Sequence, residues 1–439
     1  MRRPSMESTW TKTLALLGSC LLFSFIPANG QADFQGATHM MPFEEDTIGY
    51  NKAKTSDPIS QLQSKMDKGE FELKHEGDSG FLDALLLELG IPKSSQVLVF
   101  SKTSLQRERI SPRTPRALYF NDDVYIGYIP GSPIVEVSAV DPKLGGVFYT
   151  LDQHQLKNPK FVRTDQCLEC HASSKSMGVP GHLVRSFETD ESGVVELSTG
   201  ISIVNHRTPF EDRWGGWYVT GKHGEQTHRG NLMGKAALDK QEKKPNHAGN
   251  LTDLSGFFNA SRYPEKGSDI VALMVLEHQT HMHNFITRLN YESNIQLARY
   301  GHMNYISNIV ESFLKYLLFT EEATIKDGLE GSSTFTKDFE SFGPTDSKGR
   351  SLRQFDLKKR VFKYPCSFLI YSKAFNELPA QTKNHVYKRL WEILTEKDTS
   401  GDFAAIASGT RRAILEILVE TKSDLPDYWK TVASSESGN

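Results

Sequence analysis

The sequence predicts an α+β chain, with a β-rich N-terminal half made of antiparallel strands and a mainly α-helical C-terminal half. Two observations carry this. Between Gln96 and Val219, short apolar, β-branched runs alternate with Gly, Pro, Asn and Asp. Beyond residue 268 the apolar residues instead recur at steps of three and four. At 439 residues the chain is long enough for two or three domains with proper cores.

In chain order, residues 1–30 read as a secretory signal. Arg2, Arg3 and Lys12 lead, Leu14 to Ile26 form a 13-residue apolar core, and Ala28-Asn29-Gly30 make a small-residue exit. That core is short for a bilayer span. Leu17-Gly18-Ser19-Cys20 offers a rival, a lipoprotein signal anchored through Cys20, but LLFSFIP after Cys20 suits the middle of a signal core better. A periplasmic or secreted location is expected, with no transmembrane segment in the mature chain. The formal net charge is −3, and it becomes more acidic once Arg2, Arg3, Lys12 and Glu7 leave. This mild acidity argues against nucleic acid or an anionic membrane as partner.

Residues 31–95 form an N-terminal extension with a short helix near Gln61–Lys68. A second helix carries Phe81, Leu82, Leu85, Leu86 and Leu89, stopped by Gly90 and Pro92. The β-rich region spans 96–230. Its expected strands are VLVF, ALYF, VYIGYI, IVEVSAV, VFYTL, GHLVRSF, VVELST and GWYVT. Residues 231–268, rich in Lys, Asn and Gly, read as a linker or surface loop. A helical domain follows over 269–430, and 431–439 form a disordered tail. No P-loop, dinucleotide fingerprint, Ser-His-Asp signature or internal repeat is present.

One stretch states a chemistry outright: Cys167-Leu168-Glu169-Cys170-His171. Two thiols three positions apart, followed at once by an imidazole, is the spacing for covalent haem attachment. Each sulfur adds to one vinyl group, and the His donates a ring nitrogen to iron. A zinc site needs a second ligand pair that the sequence lacks. A redox CxxC belongs between a strand and a helix, whereas ASSKSMGVPG reads as a polar loop. Cys366 lies in an apolar context and reads as packing.

The five residues resemble the attachment motif of c-type cytochromes. The longer runs SPRTPRALYFNDDVYIGYIPG and DRWGGWYVTGKHG resemble large exported bacterial proteins with one such motif. The resemblance implies one covalent haem c, axial ligation by His171, electron transfer and a redox partner protein. It supplies no activity, substrate or second axial ligand. The motif falls between strands, which departs from a small helical cytochrome.

Candidate second ligands come from the helices. In Ile270–Asn290, Val271, Val275, His278, Met282, Phe285 and Leu289 share one stripe. His278 is a neutral core imidazole, the sixth iron ligand or a distal acid/base over an open iron, and it is carried as the candidate metal ligand. His302 falls on a similar stripe running from Ile295 to Tyr316, where the core reading leads. Met177 and His182 are further candidates. Arg107, Arg109, Arg113 and Arg116 crowd one loop, either solvated or paired with haem carboxylates. Trp214, Trp217 and Tyr218 are core or haem wall, and His223 and His228 read as hydrated loop residues. Three function classes remain open: an electron carrier, a haem-dependent oxidoreductase with an open iron position, and a non-enzymatic haem sensor. Oligomeric state is not legible.

Overall fold

Strands that follow one another in the chain lie side by side, so tight turns alone build most of the sheet. The structure, a computed structural model, describes residues 39–430. The signal (with Cys20) and the tail lie outside the described residues. Helices α1 (Pro58–Asp67) and α2 (Leu82–Glu88) come first. Then β1 (Val97–Val99), β2 (Arg116–Phe120), β3 (Val124–Tyr128), β4 (Ile134–Asp141), β5 (Gly145–Asp152) and β6 (Phe161–Arg163) pair antiparallel in order. The short β7 (Arg185–Ser186) and β8 (Ser202–Ile203) form a separate ribbon, and β9 (Trp217–Tyr218) joins the sheet beside β1.

The turn chemistry is local. Asn121 Oδ1 accepts from the amides of Asp123 and Val124 between β2 and β3. Asp141 Oδ1 does the same for Lys143 and Leu144, and Gly145 at φ 76° completes that turn. Asp57 caps α1 through the amides of Ile59 and Ser60 and also accepts from the Tyr149 hydroxyl at 2.7 Å, which ties α1 to β5.

Alternation along each strand assigns its two faces. Leu98, Ala117, Tyr119, Val124, Ile126, Val135, Val137, Val147 and Tyr149 pack with Ile59, Leu62, Leu82 and Leu85 of α1 and α2. Val97, Val99, Phe120 and Tyr125 point the other way, into a core shared with the C-terminal helices. The β-rich and helical halves therefore share one core, and all described residues belong to one compact unit.

Residues 231–268 are woven into the fold rather than spanning two bodies. They contain α4 (Gly234–Lys243), and Leu254, Phe258, Ala260 and Tyr263 are buried beside the sheet. The 31-residue α5 (Ile270–Tyr300) is capped by Asp269, whose Oδ1 accepts from the amides of Val271 and Ala272. It packs against β5, α6 (Ser307–Leu317), α7 (Phe335–Glu340) and α8 (Lys373–Asn376). Further on, α9 (Ala380–Leu394) and α10 (Ser408–Thr421) close the helical layer. No helix among the described residues is long and apolar enough to cross a membrane.

Three expectations need correction. The stripe through His302 is not one helix: Gly301, at φ 69°, ends α5, and His302 sits in the turn before α6. VVELST forms no strand beyond an isolated bridge at Val195, and GHLVRSF contributes only two strand residues. In addition, β6 and β8 arise where no strand was expected.

Candidate functional site

β6 leads straight into the cysteine motif, which winds into the single helical turn α3 (Leu168–His171) with Cys167 at its N-cap. On a helical turn, positions three apart share a face, so Cys167 and Cys170 stand side by side. Cys167 is half-buried and Cys170 exposed, both as free thiols. Burial, then the nearby Glu136 carboxylate, push the Cys167 thiol up to about 11. It therefore stays protonated at neutral pH, the reverse of an activated redox thiol.

His171 is the best-oriented group in the site. Its Nδ1 lies 2.9 Å from the Gly181 carbonyl oxygen. A carbonyl only accepts, so Nδ1 carries the proton and Nε2 keeps its lone pair. The Gly181 amide donates back to the His171 carbonyl at 2.8 Å, closing a two-way clasp. The ring leans on Phe148, with centroids 4.8 Å apart. Burial is the main cause that brings its pKa down to about 4, so the imidazole is neutral near pH 7. This is how proteins prepare a histidine as a metal ligand.

Cys167, Cys170 and His171 line a cavity of 690 Å3, within the range of about 300–1,000 Å3 common for ligand sites. Its floor is the face of β2–β5 turned away from α1 and α2. Small side chains there, Gly127, Ser138 and Thr150, leave the space open, while Leu276 and Thr280 of α5 complete the wall. Gly127 has a specific duty. A Cβ there would stand 2.3 Å from Arg116 Nη2, so only glycine lets that guanidinium lie across β3.

Cations face into this space. Arg116 pairs with Glu136 at 2.5 Å, yet its Nε is buried without a hydrogen bond. Arg185, half-buried on the wall, packs its guanidinium over the Phe187 ring at 5.1 Å, and that guanidinium makes no hydrogen bond or ion pair among the described residues. Burial lowers its pKa. Of the crowded arginines, Arg107 and Arg116 reach the cavity, whereas Arg109 and Arg113 do not. Trp217 also lines it, but Trp214 and Tyr218 do not.

No family model, curated protein or solved structure matches this chain. The reading of the site therefore rests on its own geometry.

The structure places His278 off the cavity wall. Its Nδ1 faces His206 Nδ1 at 2.9 Å and its Nε2 faces Ser367 Oγ at 2.8 Å, deep between β-rich and helical halves. The stripe placed it inward correctly. However, α5 is buried almost all round, so periodicity alone does not tell which neighbour it meets. His302 is partly exposed near Tyr300 and Tyr305. Met177 is buried against α5 and off the cavity wall.

His182 does line the cavity, its ring centroid 6.4 Å from that of His171. Its Nε2 is held by Ser138 Oγ at 2.9 Å, and its Nδ1 is buried without a partner. His223 and His228, expected to be hydrated, are buried with rings 4.7 Å apart: the Asn250 amide donates to His223 Nε2 at 2.9 Å, and His228 packs against Phe210 and Trp214. His206 was not singled out from the sequence. Nothing in its surroundings there, VNHRTP, marks it as the partner of an imidazole 72 residues away.

These buried imidazoles set a pH dependence. Burial brings His171 and His283 down to about 4 and His228 and His281 to about 3. Each stays neutral in the fold but takes up a proton near pH 6.5 when unfolded. Their contribution is thus fully present above pH 6.5. It is lost as pH falls towards 4 and 3, at up to about 1.4 kcal/mol per pH unit for each group. The urea midpoint is expected to drop clearly between pH 7.5 and pH 4.5; a flat profile would contradict the buried neutral state.

Proposed function

We propose that this chain is an exported monohaem c-type protein that passes electrons. In this reading haem is bound covalently through Cys167 and Cys170, with His171 as axial ligand. The observation that carries it is the state of His171. Its Nδ1–H is committed to Gly181, its Nε2 is unengaged, and it shares one cavity wall with both thiols. Haem iron needs only one or two ligands from the protein. That demand fits a site where, among the described residues, no three His, Cys, Asp or Glu side chains converge on a metal position.

When bound, the haem supplies one-electron transfer at its iron. The chain's own residues do the rest. The thiols tether the porphyrin edge at α3, and the Gly181 carbonyl holds the imidazole in one tautomer and raises its basicity. Arg185 would offer guanidinium donors to the haem carboxylates from the cavity wall. Phe148, Leu118, Val184 and Trp217 keep water from the cavity floor. The partner is a redox protein, met after export to the periplasm or beyond.

A second reading, an oxidoreductase acting at an open iron position, is favoured by a specific observation. The expected second ligand, His278, is off the cavity wall, and His182 has Nε2 engaged and Nδ1 enclosed. Optical spectra separate the two. In the oxidoreductase reading the reduced haem form shifts on adding carbon monoxide, as an open position requires. A low-spin spectrum indifferent to carbon monoxide and cyanide would reject the oxidoreductase reading and leave electron transfer alone.

A further inference from the structure

The helical half reaches the loop after the cysteine motif through two polar side chains of α5: Arg288, whose Nη1 donates to the Met177 carbonyl at 3.0 Å, and Asn284, which sits closer to the residue that holds His171. Asn284 Oδ1 accepts from the His182 amide at 3.0 Å, and its Nδ2 donates to the His182 carbonyl at 2.8 Å. Both halves of the amide are thus spent on one residue of the loop, in the manner of a strand partner. The next residue back is Gly181, whose carbonyl holds His171. Asn284 presses so closely on this loop that a Cβ on Gly181 would lie 2.0 Å from Oδ1. Two further ties hold the residues just before Gly181. The Gly146 amide donates to Pro180 O at 2.9 Å, and Ser176 Oγ donates to Val179 O at 2.8 Å.

We infer that Asn284 is a positioning residue for His171: it fixes the Gly181 carbonyl, and through it the tautomer, aim and basicity of the axial imidazole, without touching the cavity itself. Asn284 is buried and absent from the cavity wall. Its amide contacts end at His182, so any effect on His171 must pass through the loop. The chain of contact is short: Asn284 to the His182 peptide, Gly181 carbonyl, His171 Nδ1–H. A consequence is that shifts of α5 along the sheet alter the electronic character of the ligand. This links the size of the chain to its chemistry: the helical half holds the ligand's outer partner in place. The inference rests on the proposed haem reading for its redox consequence but not for the placement of the ring.

Two measurements test it. The first uses the haem-free chain with nitrogen-15-labelled histidine. The wild-type His171 ring is expected as the Nδ1-protonated tautomer, and Asn284→Leu, which removes both hydrogen bonds at similar volume, as a tautomer mixture. The second uses the haem-loaded protein. Asn284→Leu is expected to raise the midpoint potential, because an imidazole that has lost its acceptor donates less electron density to the oxidised iron, and to weaken His171 ligation by about tenfold or more. Asn284→Asp keeps the acceptor for the His182 amide and is expected to shift the potential less.

Asn290→Leu is the control. It cuts an equivalent bond from α5 to a loop, Nδ2 to Lys143 O at 3.2 Å, away from Gly181, and is expected to leave both readouts at wild-type values. An unchanged tautomer in Asn284→Leu, or an equal shift in Asn290→Leu, would overturn the inference. A wild-type chain that carries no haem would instead reject the haem reading, and the tautomer measurement would still decide the role of Asn284.

Discussion

Replacing both Cys167 and Cys170 with alanine is expected to leave a folded chain that has lost all covalently bound haem. The thiols are the only feature of the site that tethers rather than ligates. In the proposed haem reading, every other contact to the cofactor, from His171, Arg185 or the aromatic floor, would be reversible. The same change costs the fold little, because Cys170 is exposed, Cys167 only half-buried, and neither belongs to a core cluster. Substitutions at such positions usually stay within about 0.5 kcal/mol. Denaturing extraction followed by absorption of the polypeptide fraction reads the result. Single variants are expected to retain one linkage and part of the colour. Covalent haem surviving in the double variant would mean the attachment chemistry lies elsewhere.

The largest stability loss is expected from Glu277→Ala. Glu277 and Arg213 are both essentially sealed from water, 0% and 1% exposed, and they form an ion pair inside the shared core. The other carboxylate oxygen of Glu277 accepts from Trp214 Nε1 at 3.1 Å. Arg213 also donates to Thr208 O at 2.8 Å and His206 O at 3.1 Å, so the guanidinium staples the 206–213 loop to α5. Alanine leaves that cation buried without its paired carboxylate, a change that costs about 3–5 kcal/mol. Glu277→Gln keeps an acceptor for Arg213 or Trp214 and is expected to lose less. Denaturant unfolding of the two variants checks the order; a loss under about 1 kcal/mol for alanine would show the pair to be hydrated in solution.

Much of the β-rich half is legible from sequence because its signals are local. Asn121-Asp122-Asp123 makes its own turn, and IVEVSAV alternates so plainly that Val135, Val137 and Ala139 must share a face. The other face of that run, Glu136 and Ser138, was also visible, but its meaning was not. It becomes a cavity floor only when Gly127 and Thr150 on neighbouring strands come beside it. The ligand motif was legible in five residues. Its preparation was not, since the acceptor for His171 sits ten residues on in a loop whose path is set by Asn284, 102 residues beyond His182.

His278 shows the opposite limit. Its stripe correctly predicted an inward imidazole, but a helix enclosed on nearly every side offers several inward directions. The one taken leads to His206 and Ser367, away from the motif. With His302 the missed signal was local: Gly301 supplies the left-handed residue that ends α5, and the apparent stripe crosses that break.

The most direct test is the intact mass and visible spectrum of the mature protein after full denaturation, made in a host that assembles c-type cytochromes. Haem absorption that stays with the polypeptide, together with added mass equal to one haem, is the predicted result. A colourless chain, or colour that washes away in acidic solvent and leaves the mass of the bare polypeptide, would contradict covalent attachment at Cys167 and Cys170.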